Sequence, residues 1–343
     1  MKPLADYLSM QLQRRLRHRS AGARVLLLVL LVLLALLPLA LAGVIAYTET
    51  VAAARQRSGA LATEVVKQVA NNIAVEMARL ESDSEALVLS DQVQGALADY
   101  ADASEARRTA SGRVLTRALL DHYGALDFLN QKYLLDRDNR IIDAQVFAIL
   151  GQGVVQFASQ APKLLGRPYW GTYDNAPGQK SMVLLRAIHD KSNDALIGSL
   201  FLGMRPSHFS AVFDVSLGAG SAVFVLDADA GKVVIDPLAR GIASAAPAAA
   251  LTAELRRSLQ RNVRSGVVGY SGGAERGQYL AAYAQVADTR WFVVGAIPLA
   301  TLASEARSVR DKHVLIGAAA LLAALALALV LARAASRPAS PAR

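Results

Sequence analysis

Val25 to Tyr47 runs without a charged residue and is dominated by leucine, and Val314 to Ala332 is a second uncharged run of Val, Leu, Ile, Ala and Gly. A helix crosses the hydrocarbon of a bilayer with about 20 apolar residues, so both runs predict transmembrane helices. Leu and Ile each favour insertion by about 0.3–0.6 kcal/mol at a helix centre, which gives the first run a wide margin and leaves the Ala-rich second run dependent on its leucines. Between the runs the apolar positions change period. Leu61, Val65, Val69, Ile73, Met77 and Leu80 recur at helical spacing with no proline among them, which predicts a long helix over 51–89 continuing from the first run. A second helix is expected over 105–120, with Ser104 placed to cap it. Leu302, Ala306, Val309 and His313 repeat at helical spacing again and predict a helix entering the second run.

The middle of the chain is duplicated. Tyr133-Leu-Leu-Asp-Arg-Asp-Asn-Arg-Ile-Ile-Asp matches Phe224-Val-Leu-Asp-Ala-Asp-Ala-Gly-Lys-Val-Val-Ile-Asp in pattern: aromatic, apolar pair, Asp-x-Asp, turn residue, apolar pair, Asp. Each copy predicts a strand, a tight turn and a returning strand. Asn139 and Gly231 fall where such a turn needs positive φ. After the second copy, Leu251, Leu255 and Leu259 mark a short helix, and strands are expected over 266–270, 279–286 and 291–297. After the first copy comes a stretch read as irregular through Gly166, then strands over 182–189 and 197–204. Each half therefore reads as two strands, a helical or irregular insert and an antiparallel meander.

Charge fixes an orientation for this plan. The net charge is +9, which invites a nucleic-acid reading, but its placement argues against one. Lys2, Arg14, Arg15, Arg17, Arg19 and Arg24 against Asp6 make the first 24 residues about +5, and Arg333, Arg337 and Arg343 make the tail about +3, leaving roughly +1 between. Basic flanks on the outer sides of both apolar runs place both termini in the cytoplasm and residues from about 48 to 312 on the far side of the membrane. Ala40-Leu41-Ala42-Gly43 also fits a signal-peptide cleavage site, which would remove one span and leave the outer domain intact. There is no cysteine, which excludes disulfides and thiolate metal sites. His18, His122, His189, His208 and His313 show no metal-ligand spacing, Asp227-Ala-Asp229-Ala-Gly231 lacks the later Glu of a calcium loop, and no nucleophile or phosphate-loop motif is present. No enzyme, cofactor or metal is expected from this chain.

Taken with Arg167-Pro168-Tyr169-Trp170, Ile197-Gly198-Ser199-Leu200 and Trp291-Phe-Val-Val-Gly-Ala-Ile-Pro298, the long helix and the repeated Asp-turn hairpins make the chain resemble the double-Cache family of bacterial extracytoplasmic sensors from about Thr48 to Leu331. The resemblance implies an α+β membrane protein: two transmembrane helices flanking an extracytoplasmic domain of two PAS-like antiparallel-sheet modules stacked on a long N-terminal helix. The expected organisation is a basic N-terminus (1–24), first span (25–47), stalk and second helix (48–120), membrane-distal module (121–210), membrane-proximal module (211–300), connecting helix (301–313), second span (314–332) and a tail (333–343). Ala332-Arg-Ala-Ala-Ser-Arg-Pro338 resembles the opening of a HAMP linker. In amino-acid-binding members an Arg followed by Trp and Tyr holds the ligand carboxylate and a later Asp holds the ammonium. Arg167, Tyr169 and Trp170 match the first part with the aromatic order exchanged, while the Asp position falls near Gly203. The implied ligand is therefore a small organic anion, with Tyr173, Arg186 and His189 as further pocket residues; a guanidinium offers a carboxylate two parallel donors. The implied partners are this ligand, the bilayer, a second copy of the chain along the stalk helices and a cytoplasmic signalling protein. An adaptor lacking output of its own is the alternative.

Overall fold

The computed structural model describes residues 3–101, 104–142, 151–176, 179–213, 215–235, 249–272, 277–302, 311–312, 314–323 and 326, with the backbone alone for 3–33, 35–36, 39–40, 101, 151–152, 174–176, 179–180, 206, 210–211 and 272. Asp236, Gly273, the positions Ala306, Val309 and His313 of the connecting helix, and the tail 333–343 lie outside the described residues. Among the residues whose side chains are described, no helix is long and apolar enough to cross a membrane. The chain divides into two units, one of residues 1–57 with 300–343 and one of Ser58–Leu299.

The long helix is present: α1 runs Pro3–Val88, with Pro38 inside it. Its buried stripe within Ser58–Leu299 is Ala62, Val66, Val69, Ile73, Met77 and Leu80. This corrects the phase of the first two turns, because Leu61 is 70% exposed and the smaller Ala62 takes the inner position. Gly59 explains the shift: a Cβ there would already meet Val267 at 3.5 Å and Leu280 at 3.6 Å, so the second sheet approaches α1 along the 59–62–66 line. Two helices follow, α2 (Asp91–Ala101) and α3 (Glu105–Tyr123). Ser104 stands at the α3 N-cap, but its side chain makes no capping bond.

Two antiparallel sheets make up the rest. The first is β1 (Leu129–Asp136), β2 (Pro168–Ala176), β3 (Gln179–His189) and β4 (Leu196–Met204), in the order β1-β4-β3-β2. The second is β5 (Ala222–Asp227), β6 (Lys232–Ile235), β7 (Ser265–Gly272), β8 (Gly277–Gln285) and β9 (Trp291–Pro298), in the order β6-β5-β9-β8-β7. With β6 set aside the two orders are the same, so the duplication seen in the hairpins extends through both sheets. In the first copy the described part of the returning segment makes one bridge, Leu135 to Ile141. Helix α4 (Gly151–Ala158) stands between β1 and β2, and α5 (Ala249–Gln260) stands in the matching place between β6 and β7. α4 and the short 3-10 turn at Ala161–Lys163 correct the reading of this stretch as irregular through Gly166.

The repeated Asp-x-Asp has a local cause. Asp136 Oδ1 accepts the amides of Asp138 (2.9 Å) and Arg140 (2.8 Å), and Asp227 Oδ1 accepts those of Asp229 and Ala230 (both 2.9 Å). In both hairpins the first Asp thus holds the turn closed through two donors that the strand ladder leaves unpaired. Asn139 and Gly231 adopt φ of +61° and +65°, the left-handed conformation expected from the sequence.

Candidate functional site

β2 carries most of the candidate residues, and strand geometry sends alternate side chains to opposite faces. Tyr169 pairs with Leu185 and Tyr173 with Ser181, whereas Trp170 pairs with Leu184 and Pro168 with Arg186. The six candidate residues therefore do not converge. Tyr169 and Tyr173 belong to the face covered by α4, and Trp170 and Arg186 belong to the face covered by α1. Arg167 immediately precedes β2 and is exposed.

The α4 face is an aromatic wall. Phe157 of α4 meets Phe201 edge-on at 5.9 Å and lies 5.7 Å from Tyr169 and 6.4 Å from Tyr173; Tyr133 lies 5.9 Å from Phe201. Val154, Ala158, Val183, Leu185 and Ala187 complete the same cluster. The polar groups on this face are few. Gln131 is 4% exposed and its Oε1 accepts the Tyr173 hydroxyl. Ser199 is buried, with no partner for its Oγ among the described residues. Burial pushes the Tyr173 phenol up to about 12, opposed by the bond to Gln131, and burial raises Tyr133 as well. Both hydroxyls are protonated donors at neutral pH. Packing is tight at two glycines: a Cβ at Gly171 would lie 2.7 Å from Phe157 Cζ, and one at Gly203 would lie 2.6 Å from Gln131 Oε1. The place where the resemblance puts an acidic residue is thus filled by the neutral amide of Gln131.

The α1 face holds the other residues as ties to the long helix. Trp170 Nε1 donates to Glu81 Oε1 at 2.6 Å. Arg186 is 6% exposed and donates from Nε to Ser84 Oγ (2.9 Å), from one terminal nitrogen to the Glu81 carbonyl (3.0 Å) and from the other to the Gly166 carbonyl (3.3 Å). Glu85 lies 3.6 Å from it. Burial pulls the Arg186 guanidinium below the usual arginine range, while Glu85 and Glu81 oppose that shift. His189, at the end of β3, lies 2.9 Å through Nδ1 from the Asp194 carbonyl; with Arg186 and Gln94 it lines a cleft of about 190 Å³ beside the end of α1. Sequence reasoning did not single out Gln131, Phe157, Phe201, Glu81 and Ser84. The alternation Gln131, Tyr133, Leu135 was the available signal for the first of them.

The Cache domain family model dCache_1 matches residues 47–306. The chain belongs to this family. Solved structures with the same fold include the sensory domain of the Campylobacter jejuni chemoreceptor Tlp3 (CcmL), at 14% identity and a TM-score of 0.51, covering 75% of this chain and 99% of that one. The ligand-binding domain of Tlp3 in complex with 4-methylisoleucine has 14% identity and a TM-score of 0.50, covering 73% and 94%. The sensor domain of the V. cholerae histidine kinase DctB has 12% identity and a TM-score of 0.50, covering 71% and 98%. No curated protein matches the chain at a significant level. Cache domains of chemoreceptors and histidine kinases are sensor modules that bind small ligands, and this Cache domain has the same two-sheet α+β plan on a long N-terminal helix.

Proposed function

We propose that the chain is the sensor region of a bacterial transmembrane receptor and that its α4 face binds a small organic anion. The observation that carries this reading is the composition of that face: an aromatic wall from Tyr133, Tyr169, Tyr173, Phe157 and Phe201 with one buried amide and a few hydroxyls. Ligand pockets are built this way, mostly apolar with a few placed polar groups. Among the described residues, β1, β3 and β4 bring no Lys or Arg to this face, so a carboxylate finds its donor at the rim, on Arg167, while the apolar body of the ligand lies against the tyrosines. Trp170, Arg186 and His189 take supporting roles on the α1 side.

The apolar runs 25–47 and 314–332 anchor the receptor with both termini in the cytoplasm, and stalk helices of two copies pair. A ligand shifts such a receptor only by binding one arrangement better than another. A displacement of roughly 1–2 Å along a helix is of the size receptors use, and a cytoplasmic signalling partner reads it.

The test is a thermal-shift screen of the full chain against organic acids and amino acids. A true ligand at 100 times its Kd stabilises by about 2.7 kcal/mol, a clear rise in Tm. A carboxylate with an apolar body is expected to give that rise, and Arg167→Ala to abolish it. A rise with amino acids and none with carboxylates would overturn the anion assignment.

A further inference from the structure

One residue of the second sheet reaches into the candidate wall of the first. Arg290 stands in the β8–β9 turn. One of its terminal nitrogens donates to the Tyr169 hydroxyl, and its guanidinium carbon lies 5.7 Å from the centre of that ring. Its other terminal nitrogen donates to Asp229 Oδ2 at 2.8 Å, in the β5–β6 hairpin. The next residue repeats the link: Trp291 meets Trp170 edge-on, with ring centroids 6.3 Å apart. Two consecutive residues of β2 are therefore docked on the last residue of the β8–β9 turn and the first of β9. The first of the β2 pair faces the ligand wall, where its ring packs on Phe157. The second is bonded to Glu81 of α1.

We propose that Arg290 is a positioning residue for the ligand wall and, with Trp291, the relay that carries a movement of Tyr169 into β9. The proposal rests on the ligand reading for what moves Tyr169 in the working receptor. A phenol ring anchored at its hydroxyl from the opposite sheet cannot swing to admit a ligand without pulling on the anchor. That anchor is itself fixed to the Asp229 turn, so the pull passes to Trp291, and β9 runs from there to Pro298 at the C-terminal end of the sheet domain. Burial works against the Arg290 charge, but the Asp229 carboxylate and Tyr169 outweigh it and raise its pKa, so the anchor keeps its charge at every physiological pH.

The protein carries its own reporter. Trp170 and Trp291 are the chain's two tryptophans, so tryptophan emission and the near-ultraviolet circular dichroism of the indoles read this junction without a label. The experiment uses the full chain in detergent, with no ligand, in a four-variant square: native, Tyr169→Phe, Arg290→Met and the double variant. Tyr169→Phe removes the hydroxyl alone. It is expected to shift the tryptophan emission maximum and the indole dichroism in the native background and to leave both unchanged in the Arg290→Met background. A residue that merely cements the two sheets would lower Tm without making the tryptophan response conditional on Arg290. Equal responses in both backgrounds, or no response in either, would overturn the relay. If Arg290→Met does not fold, Arg290→Lys takes its place in the square. A lysine keeps the charge but cannot hold Tyr169 and Asp229 through separate fork nitrogens, so the response to Tyr169→Phe must then fall at least severalfold; a full response overturns the relay. Because no ligand is added, a failed ligand screen leaves this result standing, and a flat tryptophan response leaves the ligand assignment standing.

Discussion

At the residue scale, Arg186 shows how a side chain that attracts a functional reading in sequence can serve the frame instead. Each of its three nitrogens makes one bond, to Ser84, Glu81 and Gly166, so α1, β3 and the segment before β2 meet on one guanidinium. Glu85 is 59% exposed, so its Coulomb attraction is screened and adds little. The hydrogen bonds carry the cost of removal, since hydrogen bonds to a charged group are worth about 1.5–3 kcal/mol each and are not additive. Arg186→Ala is expected to lower stability by about 2–4 kcal/mol in a denaturant titration, with Arg186→Lys recovering little because one ammonium cannot span three acceptors. The tyrosines give a pH dependence of known sign. Tyr173 and Tyr270 are each held near 12 against an ordinary 10.0, chiefly by burial. The folded state therefore keeps protons that the unfolded chain has lost between pH 10 and about 12. Stability is expected to be level in this respect below pH 10 and to fall as pH rises through that window. Thermal melts between pH 9 and 11.5 check this, and the fall should be shallower in Tyr173→Phe.

At the scale of elements, the hairpins were legible because their chemistry is local. An Asp that accepts two turn amides and a residue with positive φ three or four positions later leave a pattern that survives duplication. Gly231→Ala is expected to cost about 1–2 kcal/mol in a denaturant titration, the strain of a left-handed Cβ. Asn139→Gly should be close to neutral, because Asn already tolerates that conformation. β2 was not legible. It begins at a proline, contains Gly171, and is covered on both faces, with Tyr169 and Tyr173 against α4 and Trp170 against α1, so no polar alternation marks it. Missing that strand hid the parity that separates Trp170 from Tyr169. The first turns of the sheet-bearing part of α1 were misphased for a similar reason: burial there follows the space left by Val267 and Leu280, which favours a small residue at 62 over a leucine at 61. Period and size agree only where the partner surface is uniform.

At the scale of the whole molecule, the two sheets and the helix that bears them form one unit, Ser58–Leu299, and the net positive charge of the chain lies beyond it. The proposed topology makes a direct prediction that the absence of cysteine renders clean. A single Ala195→Cys, at an exposed position between β3 and β4, should react with a membrane-impermeant maleimide in cells whose outer envelope has been permeabilised. A single Ser9→Cys should react only after the inner membrane is opened. Labelling of both on the same side would remove the transmembrane reading while leaving the Cache fold untouched.

The contact between Gly171 and Phe157 has one further consequence. A single methyl group at position 171 would have to occupy space that the phenylalanine ring already fills. Gly171→Ala is then a wedge one carbon wide, driven between strand and helix inside the aromatic wall. If the proposed binding wall is right, Gly171→Ala should lose the rise in Tm that a carboxylate gives the native chain, although position 171 itself offers a ligand no polar group.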